Sequence, residues 1–146
     1  MNNPIIRIEN VKHNLNKMSK SEAITLAGEL LVNLGYVTPA YAKSMHERET
    51  LTSTYIGNGI GIPHGTEEAK QDILNSGLVV LHFNQPIDYN GEEVRLVIGI
   101  AGKGEEHLAI LSNIAIALSE EEEVEKVLNF TSREELYAYF NEINNN

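Results

Sequence analysis

Apolar residues first fall into register after Ser19, at Ala23, Ile24, Ala27, Leu30, Leu31 and Leu34, the three-and-four spacing of one helical face. Ser19 and Glu22 stand ahead of that face at capping-box spacing, and Gly35 closes it. A second helix is predicted from Thr38 as N-cap and Pro39 at the first helical position, with Arg48 near its C-terminal end. The period then shortens. "STYIGNGIGI" is β-branched and punctuated by glycine, and "GLVVLHF" (77–83) and "VRLVIGI" (94–100) are runs of buried-strand type. Between those two runs Asn90-Gly91 has the composition of a tight hairpin turn, which predicts an antiparallel element at a sheet edge. Helical periods return over residues 107–118, 121–128 and 132–143, with Ser119/Glu122 and Thr131/Glu134 at capping-box spacing for the last two. The terminal run of asparagines is expected to fray.

Helices, then strands, then helices predict an α/β fold with a mixed, mostly parallel sheet flanked by helices on both faces. At 146 residues the chain has the length of one domain, expected to span 1–146. Loops leaving the carboxyl ends of strands gather at one edge in such folds, and ligands bind there. "PHG" leaves one predicted strand and "AGKGEEH" leaves another, so His64 and His107 converge if both strands run the same way.

Composition narrows the possible functions. Lysine and arginine number 11 against 21 acidic residues, a net charge of −10 that disfavours a nucleic-acid partner. No apolar run is long enough to insert in a membrane, the N-terminus lacks a signal-peptide pattern, and cysteine is absent, so the cytoplasm is the expected compartment.

Chemistry concentrates at "GNGIGIPHGTEEAK". Pro63 stiffens the approach to His64, and Gly65 permits backbone conformations that other residues resist. Such an imidazole could ligate a metal, move a proton or accept a group covalently; a helix cap or a bond to a backbone carbonyl is the plain alternative. "GTEEAK" reads as a first helical turn whose amides suit an anion, with Thr66 as its N-cap. His107 opens a later helix behind Glu105 and Glu106, whose charges answer the helix dipole. Arg48 either pairs with Glu47 or Glu49 or aims its guanidinium at a phosphoryl group. His13, His46 and His82 read as structural or solvated. No third ligand accompanies the two histidines at metal-site spacing, and no phosphate-binding glycine loop, nucleophile elbow or cysteine nucleophile is present, so neither a metal nor a cofactor is expected.

The stretches "LLVNLGYVTPAYAKSMHERETLTSTYIGNGIGIPHGTEEAK" and "VRLVIGIAGKGEEHLAILSNIAIAL" resemble the enzyme IIA domain of the bacterial phosphoenolpyruvate-dependent sugar phosphotransferase system, mannitol/fructose type. "PHGTEEAK" is more similar to the mannitol branch than to the fructose or nitrogen-regulatory branches. The resemblance implies a phosphorelay in which the phosphocarrier protein HPr donates a phosphoryl group and a IIB component accepts it, with the permease on a separate chain. It implies that His64 carries the group on Nε2, that His107 is the second active-site histidine and that Arg48 steadies the phosphoryl oxygens. Asn58 falls where the family has a polar or acidic supporting residue, and Thr66 is a further supporting candidate. Two other readings stand beside this one: a regulatory or fructose-type IIA acting as a signalling module, and a metal-dependent hydrolase using the two histidines.

Overall fold

The computed structural model describes residues 4–144. Chain order is β1 (Val11–Leu15), α1 (Lys20–Asn33), α2 (Pro39–Leu51), β2 (Tyr55–Gly57), β3 (Ile60–Gly61), β4 (Gly77–Tyr89), β5 (Glu92–Ala101), α3 (Glu106–Ala117), α4 (Glu121–Leu128) and α5 (Arg133–Asn144). The five strands form one sheet in the order β1-β4-β5-β3-β2. β4 explains the layering. Val79, Leu81 and Phe83 pack with Ala23, Ile24, Ala27 and Leu31 of α1 and Tyr41 and Met45 of α2. Leu78 and Val80, pointing the other way, join Ile110 and Ile114 of α3, Val124 and Val127 of α4, and Leu136 and Phe140 of α5. A strand covered on both faces is apolar almost throughout, which is why 77–83 reads as a buried run interrupted only by His82, whose ring nitrogens are both hydrogen-bonded.

The expected helices on both faces of a mixed sheet are present, and the expected majority of parallel pairings is not. β1–β4 and β3–β5 run parallel, whereas β2–β3 and the long β4–β5 ladder are antiparallel. The cause is local. Asn90 and Gly91 both have positive φ (58° and 93°), the backbone of a two-residue primed turn, and such a turn can only return the chain antiparallel. This hairpin forms the centre of the sheet rather than the edge that its turn suggests, because β1 and β3 add on its two outer sides.

Capping was legible once in three. Ser19 Oγ accepts from the Glu22 amide and Glu22 Oε1 accepts from the Ser19 amide, completing the box. Ser119 instead donates to Ile116 O at the end of α3, and α4 starts from Glu120 with no side-chain cap. At α5 the reciprocal pair is Ser132 with Glu135, one residue beyond the expected Thr131 and Glu134. Of the terminal asparagines, Asn144 ends α5 and donates to Phe140 O; positions 145–146 lie outside the described residues. Among the described residues no helix is long and apolar enough to cross a membrane.

Candidate active site

β3 and β5 carry the two candidate histidines to the same place. Ile60 pairs with Leu96 and Gly61 with Val97 in parallel register, and the pairing extends through a bridge between His64 and Ile100. The chain leaving β3 reaches His64, and the chain leaving β5 turns through residues 102–105 into the first turn of α3, where His107 sits. Their ring centroids lie 5.3 Å apart at 61°. Both line a cleft of about 210 Å³ together with Tyr41, Arg48, Leu51, Thr66, Glu67 and Lys70.

The orientation of His64 is set by the backbone behind it. Its Nδ1 lies 2.9 Å from Ile62 O, and a carbonyl can only accept, so Nδ1 holds the proton. Nε2 is left with a free lone pair. Burial holds the His64 pKa below its ordinary 6.5, with the Arg48 charge pushing the same way while the Ile62 carbonyl and Glu49 pull against them. His107 is lowered likewise, by burial first and then by the His64 charge. At neutral pH the cleft therefore holds two neutral imidazoles, one of them a nucleophile with a fixed tautomer.

Arg48 stands near the C-terminal end of α2, and its Nη1 donates to Thr52 O at 2.9 Å. It forms no ion pair among the described residues. The carboxylate of Glu49 turns instead to Lys20 at 2.9 Å and accepts from the Thr54 amide and hydroxyl. Burial pushes Glu49 up, but these partners outweigh it and the net shift is downward. Arg48 thus keeps guanidinium donors for the cleft, the geometry that matches phosphoryl oxygens.

Two expectations fail here. The segment after Thr66 is a 3-10 helix (Glu67–Asp72), too short and tight to present an α-helical N-terminus, and Thr66 makes no side-chain cap. Within the turn the Thr66 amide also faces inward, donating to Ser44 Oγ at 3.3 Å. The cationic side chains that line the cleft are Arg48 and Lys70. Asn58 is not part of it. With φ 52° it forms the β2–β3 turn, its Nδ2 donates to Leu118 O and Ser119 O at 3.2 Å, and it lines a separate cavity with Glu93, Arg95 and Glu121.

The turn before His107 is fastened by Ser76, which no motif revealed. Its Oγ donates to Glu106 Oε1 and accepts from the Lys103 amide, both at 2.8 Å. Glu106 thereby has a defined partner besides the helix dipole. The remaining histidines are structural. His82 Nδ1 accepts from the Asn14 amide and so its Nε2 donates to Leu128 O at 2.9 Å, while His13 stacks on it at 4.6 Å and bonds Phe130 O. His46 bonds Thr25. Among the described residues no three His, Asp or Glu side chains are grouped to hold a metal ion.

Comparison with known proteins agrees with this geometry. The family described as phosphoenolpyruvate-dependent sugar phosphotransferase system, EIIA 2, matches residues 4–143. The mannitol-specific phosphotransferase enzyme IIA component of Halalkalibacterium halodurans is 55% identical over 144 residues, covering 99% of both chains. The crystal structure of IIA mannitol from Escherichia coli superposes with a TM-score of 0.84 at 38% identity, covering 92% of this chain and 98% of that one. The same component in complex with phosphorylated enzyme IIB mannitol gives 0.85 at 37%, covering 92% and 96%. Matched along nearly its whole length, this chain belongs to the EIIA 2 family of the phosphoenolpyruvate-dependent sugar phosphotransferase system.

Proposed function

We propose that the protein is a cytoplasmic phosphoryl carrier, working as a single IIA domain over residues 1–146, that accepts a phosphoryl group from phospho-HPr on His64 Nε2 and delivers it to the IIB component of a mannitol permease. The observation that carries this reading is the 2.9 Å bond from His64 Nδ1 to Ile62 O, which leaves a neutral ring with its lone pair on Nε2. Family membership and the mannitol-specific relatives supply the relay and the substrate class.

Transfer needs in-line attack and little else from the protein except charge and position. As Nε2 bonds to phosphorus and the donor nitrogen leaves, positive charge grows on the imidazole, and Nδ1–H directs it onto the Ile62 carbonyl. Arg48 meets the equatorial oxygens, and His107, whose ring stands edge-on beside His64, donates a hydrogen bond to them. Return of the group to a IIB acceptor reverses the same steps, with no proton lost from the ring. Thr66 lines the cleft without a fixed role, and Asn58 steadies the β2–β3 turn from a distance.

The test is incubation with phosphoenolpyruvate, enzyme I and HPr, followed by intact mass measurement. The wild-type chain gains one phosphoryl group, acid-labile and base-stable, and His64→Ala gains none. A wild-type chain that gains no mass sinks the assignment.

A further inference from the structure

Hydrogen bonds to partners outside it fix the turn that carries His64 on both sides of the ring. The Ile62 amide donates to Thr54 O at 3.0 Å, and Pro63 O accepts from the Ile100 amide at 3.1 Å. Beyond the ring, Gly65 packs against the Tyr41 ring and the Thr66 amide donates to Ser44 Oγ at 3.3 Å. The last two partners both come from α2. Tyr41 is 2% exposed, and its hydroxyl donates at 2.7 Å to Ile100 O, near the end of the strand that leads to His107. Tyr41 thus joins α2, the His64 turn and β5, its ring against Gly65 and its hydroxyl on Ile100 O. Ser44, also buried, donates to Tyr41 O at 2.7 Å. The fit is tight: a Cβ on Gly65 would lie 2.5 Å from the Tyr41 ring and 2.7 Å from Ser44 Oγ. Burial pushes the Tyr41 pKa up to about 12 against the opposing Gly65 bond, so the hydroxyl keeps its proton and its bond to Ile100 at any working pH.

We propose that Tyr41, seconded by Ser44, is a positioning residue for phosphoryl transfer: it clamps residues 63–66 to β5 so that His64 keeps Nδ1–H on the Ile62 carbonyl and Nε2 in the cleft. The proposal rests on the phosphoryl-carrier reading for its rate consequence, and on the coordinates alone for its structural one. Removing the hydroxyl leaves the buried Ile100 carbonyl without that partner and unfastens the ring that packs on Gly65, and the turn shifts to compensate. Reacting groups tolerate little of this, since a displacement of about 1 Å costs on the order of a hundredfold in rate.

The test is Tyr41→Phe in the full chain, with Ile24→Val as a control that loosens the same core away from the turn. For Tyr41→Phe we expect kcat for uptake from phospho-HPr to fall by about tenfold to a hundredfold, with KM within about twofold, because docking surfaces are untouched. Nitrogen-15 NMR of the unphosphorylated protein is expected to show His64 moving from the single Nδ1–H tautomer to a mixture. Ile24→Val is expected to lower the melting temperature yet keep the wild-type kcat and tautomer. Should Tyr41→Phe not fold, Ser44→Ala carries the same test, with a smaller loss in kcat and the same change in tautomer. A wild-type kcat, a wild-type ring spectrum beside a fallen kcat, or an equal loss in Ile24→Val overturns the proposal. A wild-type chain that takes up no phosphoryl group defeats the carrier reading instead, and the ring spectra still decide whether Tyr41 positions His64.

Discussion

The tautomer of His64 depends on one backbone oxygen, and its protonation on burial. In the folded chain the pKa of this ring lies below 6.5, so between the two values the unfolded chain binds a proton that the native state refuses. His107 behaves alike. Both rings leave stability unaffected above 6.5, and both reduce it as pH falls from there through the lowered native pKa. The neutral nucleophile meanwhile survives below 6.5. We predict that the rate of phosphoryl uptake stays level from about pH 8 down to 6.5 and falls only at lower pH. In Arg48→Ala the rate is lower at every pH and its midpoint moves upward, because the cation that helps keep the ring neutral is gone. Stopped uptake assays across pH read both; a wild-type rate already halved above 6.5 contradicts the prediction. At this scale the sequence marked His64, His107 and Arg48 as candidates, since Pro63, Gly65 and the family resemblance flag them. It could not mark Tyr41, Ser44 or Ser76, whose hydroxyls matter only because of what packs against them.

Elements were legible where one period or one turn decides them. α1 has its apolar face and its capping box in neighbouring residues, and the β4–β5 hairpin has Asn90-Gly91. β1 was missed: "VKHNL" alternates poorly, with a polar residue at three of five positions, and becomes a strand by pairing with Val80 to Phe83 of β4. The capping motifs separate local pattern from realised bond, and stability measurements can read the difference. Ser19→Ala loses the hydroxyl's bond to the Glu22 amide in a working box and is expected to cost about 1 kcal/mol. Ser119→Ala, at the same motif spacing but without a cap, is expected to cost under about 0.5 kcal/mol. Urea midpoints at unchanged m-value give both numbers, and equal losses would refute the distinction.

On the scale of the whole molecule the charge of −10 acts as a field rather than a set of contacts. Around the cleft it is relieved by Arg48 and Lys70, and exposed Leu51 lines it with the histidines. We expect docking of HPr through a basic face to be steered by charge and completed by apolar contact. Uptake at sub-saturating phospho-HPr is expected to slow as salt rises and the Debye length shrinks below its ~10 Å at 0.1 M. A rate independent of salt would leave docking to the apolar rim alone. The sequence by itself determined what neighbouring residues decide: the period of each main helix, the buried runs of β4 and β5, the primed turn between them, and the stiff Pro63-His64-Gly65 exit. Only the tertiary structure decided that β3 lies parallel to β5, which brings His64 and His107 to one cleft. It also turned the amide of Thr66 toward α2, and carried Asn58 to the far end of α3. The physical reason is that these outcomes rest on pairings between segments far apart in the chain, chosen by the packing of the whole sheet and its two helical layers, and no local period encodes them.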